Sequence, residues 1–162
     1  MNTQGGVQAR FSLLNLRTVC FFKVKEGVKP LVVLPFYLSS VMCGFPSPAT
    51  DYEENELNIG DYLAPHPHAT FIVRASGTSM QGGEAQISPG DLLVVDCSRQ
   101  PVNNQVVLAV LDGEFTVKRF KRTHSGAIYL VADNPEFGPA IEIRATTQFE
   151  VRGVITHVIH QV

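Results

Sequence analysis

A serine and a lysine are the residues whose types and settings could combine in one reaction. Ser79 lies in the stretch SGTSM at 76–80, a glycine-containing turn after a strand-like run. Lys118 lies near the end of the strand-like stretch GEFTVK at 113–118. A serine hydroxyl is a poor nucleophile at neutral pH until a base takes its proton, and a neutral lysine can be that base. Backbone N–H groups at such a turn could stabilise the oxyanion of an acyl intermediate.

The lysine must lose its charge before it can act as a base. A free lysine has a pKa near about 10.4, and lowering it by about 3 units costs the cation roughly 4 kcal/mol relative to the neutral form. Burial in apolar surroundings can supply such a shift. Strict alternation along the strand places Glu114, Thr116, Lys118 and Phe120 on one mixed face, which allows a buried lysine. Taken alone, Ser79 is more simply explained as a turn residue, and Lys118 as a strand residue that faces solvent.

The pattern around these two residues predicts a mostly β domain over 69–162. Asp112-Gly113 between two apolar runs is a strong hairpin signal, because a type I′ turn needs positive φ at both central residues. No long amphipathic helical pattern interrupts the series. The predicted strands cover 70–75, 91–96, 105–111, 114–120, 127–132, 140–143 and 149–159.

The part of the chain before this domain has a different character. Residues 1–29 show little periodicity and are expected to form a weakly ordered N-terminal extension. Residues 30–68 mix apolar patches with several prolines, which disfavour long helices and central strands. This segment is therefore predicted to be an extended arm and linker, with the alternating sequence PHPH at 65–68 as its rigid boundary.

Composition narrows the function classes. The 162 residues are 44% hydrophobic and only 17% charged, which argues against global disorder, and the net charge of -2 gives no strong electrostatic case for binding DNA. Three cysteines without clustered spacing predict no disulfide framework, and His66 and His68 lack further ligands for a metal, so no cofactor is expected. The most apolar stretch, 31–45, is too short and too broken by Pro35 to span a bilayer. These features predict a cytoplasmic protein.

Several separated motifs resemble one family. The stretches ASGTSM at 75–80, GDLLVVD at 90–96 and DGEFTVKR at 112–119 are similar in sequence and order to the UmuD branch of the LexA/UmuD self-cleaving peptidases. CGFPSPA at 43–49 resembles the cleavage region of that branch, and NPEF at 134–137 resembles a later segment. The resemblance covers about 34–162, and the first 20 or so residues look like an extension that the family does not require.

The resemblance implies a mechanism and a setting. It makes Ser79 the nucleophile and Lys118 the general base of a Ser-Lys dyad, and it places the cut in the protein's own chain between Cys43 and Gly44. It implies a LexA/UmuD-like peptidase β domain preceded by the extended arm. It further implies activation by a RecA-type filament on single-stranded DNA. The shortened homodimer would then join a Y-family error-prone polymerase in SOS mutagenesis, without a cofactor, a membrane or sequence-specific DNA binding.

Three alternatives stay open at this point. A LexA-like repressor would need a helix-turn-helix domain before the cut, and the segment before Cys43 is interrupted by Pro30 and Pro35 without a recognition-helix pattern. A non-catalytic interaction module would keep the fold without the chemistry, which the presence of Ser79 and Lys118 disfavours. A signal-peptidase-like enzyme would share the Ser-Lys chemistry, but the sequence shows no membrane anchor.

Overall fold

A computed structural model describes residues 33–37 and 54–162 of the chain. These residues form nine strands, one short α-helix and one 3₁₀ turn. The strands are β1 (Val33–Tyr37), β2 (Glu54–Asn58), β3 (Thr70–Arg74), β4 (Leu92–Asp96), β5 (Val106–Leu111), β6 (Glu114–Arg122), β7 (Ile128–Val131), β8 (Ile141–Ile143) and β9 (Phe149–Ile159); the helix α1 is Ile59–Leu63 and the 3₁₀ turn is Pro135–Phe137. The mostly β fold class predicted from the sequence is confirmed.

Seven of the strands form one antiparallel sheet in the order β3-β4-β9-β5-β6-β7-β8. The last strand, β9, lies between β4 and β5 and so joins the two halves of the sheet. Its register shifts against β5 between Leu108 and Ala109, where Arg152 is the extra residue, and against β4 between Val94 and Val95. Such bulges increase local twist and bend the strand. A long bent strand at this position curves the sheet that carries the candidate site.

The β5–β6 hairpin sets the register of the strand that carries Lys118. Asp112 has φ 48° and Gly113 has φ 90°, so both central residues adopt the positive φ that the sequence predicted for this turn. Leu111 pairs with Glu114 across the turn, and Lys118 therefore pairs with Val107, which is fully buried. The predicted hairpin is confirmed, and its register places Lys118 beside a buried residue of the neighbouring strand.

Two apolar clusters form the core. One contains Val107, Ala109, Phe120, Leu130 and Val154. The other packs the loop between β3 and β4 onto the sheet and contains Met80, Ile87, Leu93 and Val106. Because burial of such side chains is the main favourable contribution to folding, the second cluster fixes the position of the loop that carries Ser79.

The β1–β2 pair lies within the segment predicted as an extended arm. Its register runs from Val33 opposite Asn58 to Tyr37 opposite Glu54. The Asn58 side chain then accepts a hydrogen bond from the Gly60 N–H at 3.0 Å and caps α1.

The predicted division of the chain at 68 stays a prediction, and residues 1–29 lie outside the described residues. No helix within the described ranges is long and apolar enough to cross a membrane.

Two buried carboxylates lie at the ends of β4, Asp91 just before it and Asp96 as its last residue, and both bind other segments of the chain. Asp91 accepts hydrogen bonds from the Ser88 N–H at 2.8 Å and from the His160 ring at 2.7 Å, and these interactions lower its pKa. Burial raises the pKa of Asp96, but hydrogen bonds that include Ser98 outweigh it, so the net pKa is also lowered. Both groups therefore stabilise the fold in their charged form.

We predict an acid-dependent loss of stability through Asp91. Because its folded pKa is depressed, its contribution is complete above the unfolded value of about 3.9 and is lost as the pH falls through the folded value. Asp91→Asn should therefore lower the free energy of unfolding at about pH 6 and show a smaller further loss between about pH 6 and pH 3 than the wild type. Urea unfolding at both pH values measures this difference. The exposed carboxylate of Asp112, changed to Asn, is the control, and equal pH dependence in wild type and Asp91→Asn would contradict the prediction.

A second prediction concerns the close approach of β9 and β4. A Cβ atom on the buried Gly153 would lie 2.7 Å from Val95 Cγ1 and 2.9 Å from the Asp96 carbonyl oxygen. Gly153→Ala should therefore destabilise the protein by about 1–3 kcal/mol, because the strands must move apart to admit the methyl group. Denaturant unfolding compares it with Gly60→Ala, where the nearest atom is an Asn58 side-chain oxygen at 3.3 Å. Equal stability of the two variants would show that the strands yield without cost.

Candidate active site

The fold brings Ser79 and Lys118 into direct contact. Ser79 lies in the loop between β3 and β4, and Lys118 lies on β6. The Lys118 Nζ is 2.8 Å from the Ser79 Oγ, although the two residues are separated by 39 positions in the chain. This is the distance over which a base can take a proton from a hydroxyl. The two residues singled out from the sequence therefore form one site.

The loop that carries Ser79 is fixed on one side by the core. Gly77 has φ 80°, a conformation that glycine adopts readily, and it turns the chain after β3. Met80 follows Ser79 and is only 3% exposed within the second apolar cluster. The Met80 carbonyl also accepts a hydrogen bond from the Ile87 N–H at 3.2 Å. A buried side chain immediately after the serine holds the serine at the surface of the core, where its hydroxyl reaches the lysine.

The Lys118 amine has three oxygen neighbours, all of them neutral. Besides the Ser79 Oγ, its Nζ lies 3.2 Å from Thr116 Oγ1 and 3.1 Å from the Val117 carbonyl oxygen. A neutral amine has two N–H groups and one lone pair. The hydroxyl of Thr116 and the carbonyl of Val117 can accept the two N–H groups, which leaves the lone pair to accept the proton of Ser79. The arrangement therefore suits the uncharged lysine that the chemistry requires.

Burial lowers the pKa of Lys118. Desolvation disfavours the ammonium form, and no carboxylate of the described residues forms an ion pair with Lys118 that would restore it. The Nζ also lies 5.8 Å from the centre of the Phe137 ring, which covers the amine from the side of the 3₁₀ turn. The mixed face of β6 becomes more buried away from the hairpin, from the exposed Glu114 to the buried Phe120, and the lysine lies in between.

An open groove runs beside the serine and the lysine. Its volume is about 900 Å³. Five consecutive positions, 71–75, line the groove, so four of the five residues of β3 border it. Since β3 pairs only with β4 among the described strands, it is an edge strand of the sheet. The other lining residues are Ser76, Gly77, Ser79, Met80, Ile87, Leu108, Phe115, Thr116, Val117, Lys118, Phe137 and Arg152. A mainly apolar groove of this size can hold an extended peptide segment.

A second group of polar residues has the composition of a catalytic triad but not its geometry. His66 Nδ1 lies 3.0 Å from Asp96 Oδ2 and 3.3 Å from Ser98 Oγ. In a working triad the two ring nitrogens contact different partners, whereas here one nitrogen faces both. Asp96 also accepts from the Arg99 Nε at 3.1 Å, so the cluster anchors the segment around His66 to β4. His66, which lies in the segment predicted to be an arm and linker, is exposed but has this buried partner.

Two residues of the site were not predicted from the sequence, and the two predicted cleavage residues are not among the described residues. The sequence did not foresee that Asn134 contacts the loop of Ser79 or that Phe137 covers the lysine, because both come from a turn that is distant in the chain. Their only signal was the NPEF motif itself. The predicted cleavage residues, Cys43 and Gly44, lie outside the described residues.

Comparison with known proteins decides the family. A model of the Peptidase S24-like family matches residues 35–156, a range that includes both Ser79 and Lys118. The chain belongs to this family. It is a UmuD-like member, so the resemblance read from the motifs is confirmed, and the coarse function follows: a peptidase of the SOS response.

Three relatives illustrate the relationship. Protein ImpA of Salmonella typhimurium is 44% identical over 80% of this chain and 85% of its own length. Protein MucA of Escherichia coli is 42% identical over 82% of this chain and 88% of its own length. The LexA repressor of Pseudomonas chlororaphis is 40% identical over 68% of this chain, but only 52% of the repressor is matched. The UmuD-like relatives are therefore matched over most of their length, and the repressor over about half.

We predict that the Phe137 ring helps to keep Lys118 uncharged. Phe137→Ala would open the amine to water, and because burial is what lowers the pKa of Lys118, that pKa should rise toward the ordinary lysine value of about 10.4. Loss of the attraction between the ring and the ammonium form acts in the opposite direction, but at 5.8 Å from the ring centre we expect it to be the smaller effect. An NMR titration of isotopically labelled lysine side chains measures the change. Ile141→Ala, which removes a partly exposed apolar side chain that does not line the groove, is the control. An unchanged Lys118 pKa in Phe137→Ala would show that the sheet alone desolvates the amine.

Proposed function

We propose that this protein is a self-cleaving serine peptidase that cuts its own chain between Cys43 and Gly44. Ser79 is the nucleophile and Lys118 the general base. The observation that carries the proposal is the 2.8 Å contact between the Ser79 hydroxyl and a lysine amine whose pKa is lowered by burial. A serine and a lysine that served only structural purposes would not need a desolvated amine at the position of a base.

The reaction follows from the contacts around the two side chains. The neutral amine of Lys118 takes the Ser79 proton as Oγ attacks the carbonyl carbon of residue 43, and the proton then passes to the nitrogen of Gly44 as the peptide bond breaks. Residue 43 is left as an ester on Ser79. Water attacks this ester and gives a proton to Lys118, which passes it to the Ser79 Oγ as the ester bond breaks. The products are the regenerated hydroxyl and a carboxylic acid at residue 43, which loses its proton to solvent.

The groove supplies a place for the segment to be cut. The apolar residues Val41 and Met42 precede the scissile bond, and they match the mainly apolar lining of the groove. Gly44 follows the bond, and the absence of a Cβ lets the backbone come close to Ser79. Within the described residues, the Ser79 N–H has no hydrogen-bond partner and can donate to the oxyanion.

The family resemblance supports a wider role, which is part of the proposal. The cut occurs in the cytoplasm in response to a RecA-type filament on single-stranded DNA, which shifts the population toward the state with the arm in the groove. The truncated homodimer then serves as the accessory subunit of a Y-family error-prone DNA polymerase. A LexA-like repressor function is the alternative, and sequence-specific operator binding in a gel-shift assay would favour it.

The test is self-cleavage of the purified full chain at alkaline pH. At about pH 10 an already depressed lysine pKa leaves much of Lys118 neutral without an activator, so two fragments should appear, with a new N-terminus at Gly44. Ser79→Ala and Lys118→Ala should give no fragments. Matched controls are Ser98→Ala and Lys121→Ala, which change the same residue types away from the groove and should cleave as the wild type does. An intact wild-type chain at alkaline pH and with the filament would overturn the proposal.

A further inference from the structure

The turn at 133–137 is joined to the loop of Ser79 by two hydrogen bonds. The backbone N–H of Asn134 donates to the Ser79 carbonyl oxygen at 3.0 Å. The Asn134 side-chain Nδ2 donates to the Thr78 carbonyl oxygen at 3.1 Å. Its Oδ1 accepts from the Glu136 N–H at 3.0 Å and caps the 3₁₀ turn. One asparagine side chain therefore joins the serine's loop to the turn that carries Phe137.

The loop of Ser79 needs a restraint of this kind. Gly77 and Gly82 flank the serine with φ values of 80° and 77°, and glycines leave a chain more conformations than other residues do. Thr78 is exposed and contributes no buried side chain. On the other side of Ser79 the Met80 side chain is buried, whereas residues 76–78 contribute no buried side chain. The two hydrogen bonds from Asn134 are made to the carbonyl groups of Thr78 and Ser79, on the N-terminal side of Met80.

The turn is itself tied to the strand of Lys118. Arg119 donates to both carboxylate oxygens of Asp133, from Nε at 2.7 Å and from the guanidinium end at 2.5 Å, and the carboxylate raises the pKa of the arginine. Bidentate pairs of this type fix orientation as well as distance. Any side chain at Gly83 would collide with Asp133, so the turn also packs closely against the end of the serine's loop.

These contacts close a ring. The chain links Lys118 to Arg119 and Asp133 to Asn134, the ion pair links Arg119 to Asp133, and Asn134 binds the backbone of Ser79. The remaining link is the contact between the Ser79 hydroxyl and the Lys118 amine. The distance between nucleophile and base is therefore set by the Asn134 contacts as well as by the core.

We propose that Asn134 is a positioning residue of the Ser-Lys site, and this inference rests on the proposed self-cleavage. Its Nδ2 donor holds the serine's loop at the distance at which Lys118 can take the proton. Its Oδ1 acceptor holds the 3₁₀ turn in place, so that the Phe137 ring covers the amine. The two functions belong to different atoms of the side chain and can be separated by substitution.

Two variants of the full chain separate these functions. Asn134→Ser keeps a good N-cap but is too short to reach the Thr78 carbonyl, and Asn134→Ala removes both interactions. Because small displacements of reacting groups have large effects, Asn134→Ser should cleave about 10- to 100-fold more slowly at every pH, with an unchanged midpoint of the pH–rate profile. Asn134→Ala should show the same loss and, in addition, a midpoint moved to higher pH, because the amine is less well covered.

A control variant and a second measurement distinguish a failure of the positioning role from a failure of self-cleavage itself. Asn103→Ala removes an asparagine whose Oδ1 accepts from the Arg122 N–H at 2.8 Å, far along β6, and it should cleave at the wild-type rate. Labelling of Ser79 by a fluorophosphonate probe measures the same positioning without the arm, and Asn134→Ser should be labelled more slowly. If the wild type does not cleave, the proposed function fails. If Asn134→Ser is cleaved or labelled at the wild-type rate, the inference is wrong.

Discussion

A partly buried amine without an opposite charge beside it is the constraint on which the site depends. The three oxygen atoms around the Lys118 Nζ belong to two hydroxyls and a carbonyl, and none of them carries a charge that would stabilise an ammonium ion. Burial is then unopposed, and it lowers the pKa. Because a lowered pKa means that the charged form has lost free energy relative to the neutral form, the apolar clusters of the sheet must offset the cost of the site.

The next residue along β6 shows the opposite solution. Arg119 is paired with Asp133 in a bidentate contact, and its charge is stabilised, whereas Lys118 has no such partner among the described residues. Side chains of adjacent strand residues leave the backbone in opposite directions, which allows two cations in succession to have different surroundings. Arg119 is permanently charged and stabilises the contact with the turn, whereas Lys118 can lose its proton and act as a base.

The sequence predicts local structure well and long-range contacts poorly. Each strand predicted over 69–162 is present to within one or two residues, because alternation and β-branched runs record which side chains face the core. The insertion of β9 between β4 and β5 was not predictable, since several strand orders satisfy the same pattern. The β1–β2 pair was missed because Pro35 and the polar stretch ENELN at 54–58 have low strand propensity.

The site divides in the same way. The motifs around Ser79 and Lys118 identified the two residues, and the glycine at 77 and the turn at 112–113 have the backbone conformations that their sequences require. The contacts of Asn134 and Phe137 could not be predicted, because they depend on where the turn after β7 lies relative to the β3–β4 loop. A side chain that restrains another loop through backbone carbonyl groups leaves no periodic signal in a sequence.

The β1–β2 pairing gives the proposed cut a physical consequence. Tyr37 and Glu54 are directly opposite each other, so the peptide bond after Cys43 lies in a stretch whose two ends are held together by five residue pairs. While the chain is intact, β1 and β2 are linked, and the effective concentration of one strand near the other is about millimolar. Hydrolysis turns this intramolecular pairing into an association between two separate molecules, and a two-stranded sheet is only marginally stable by itself. Dilution would then favour separation of β1 from β2, which would leave the backbone edge of β2 free to pair with another strand.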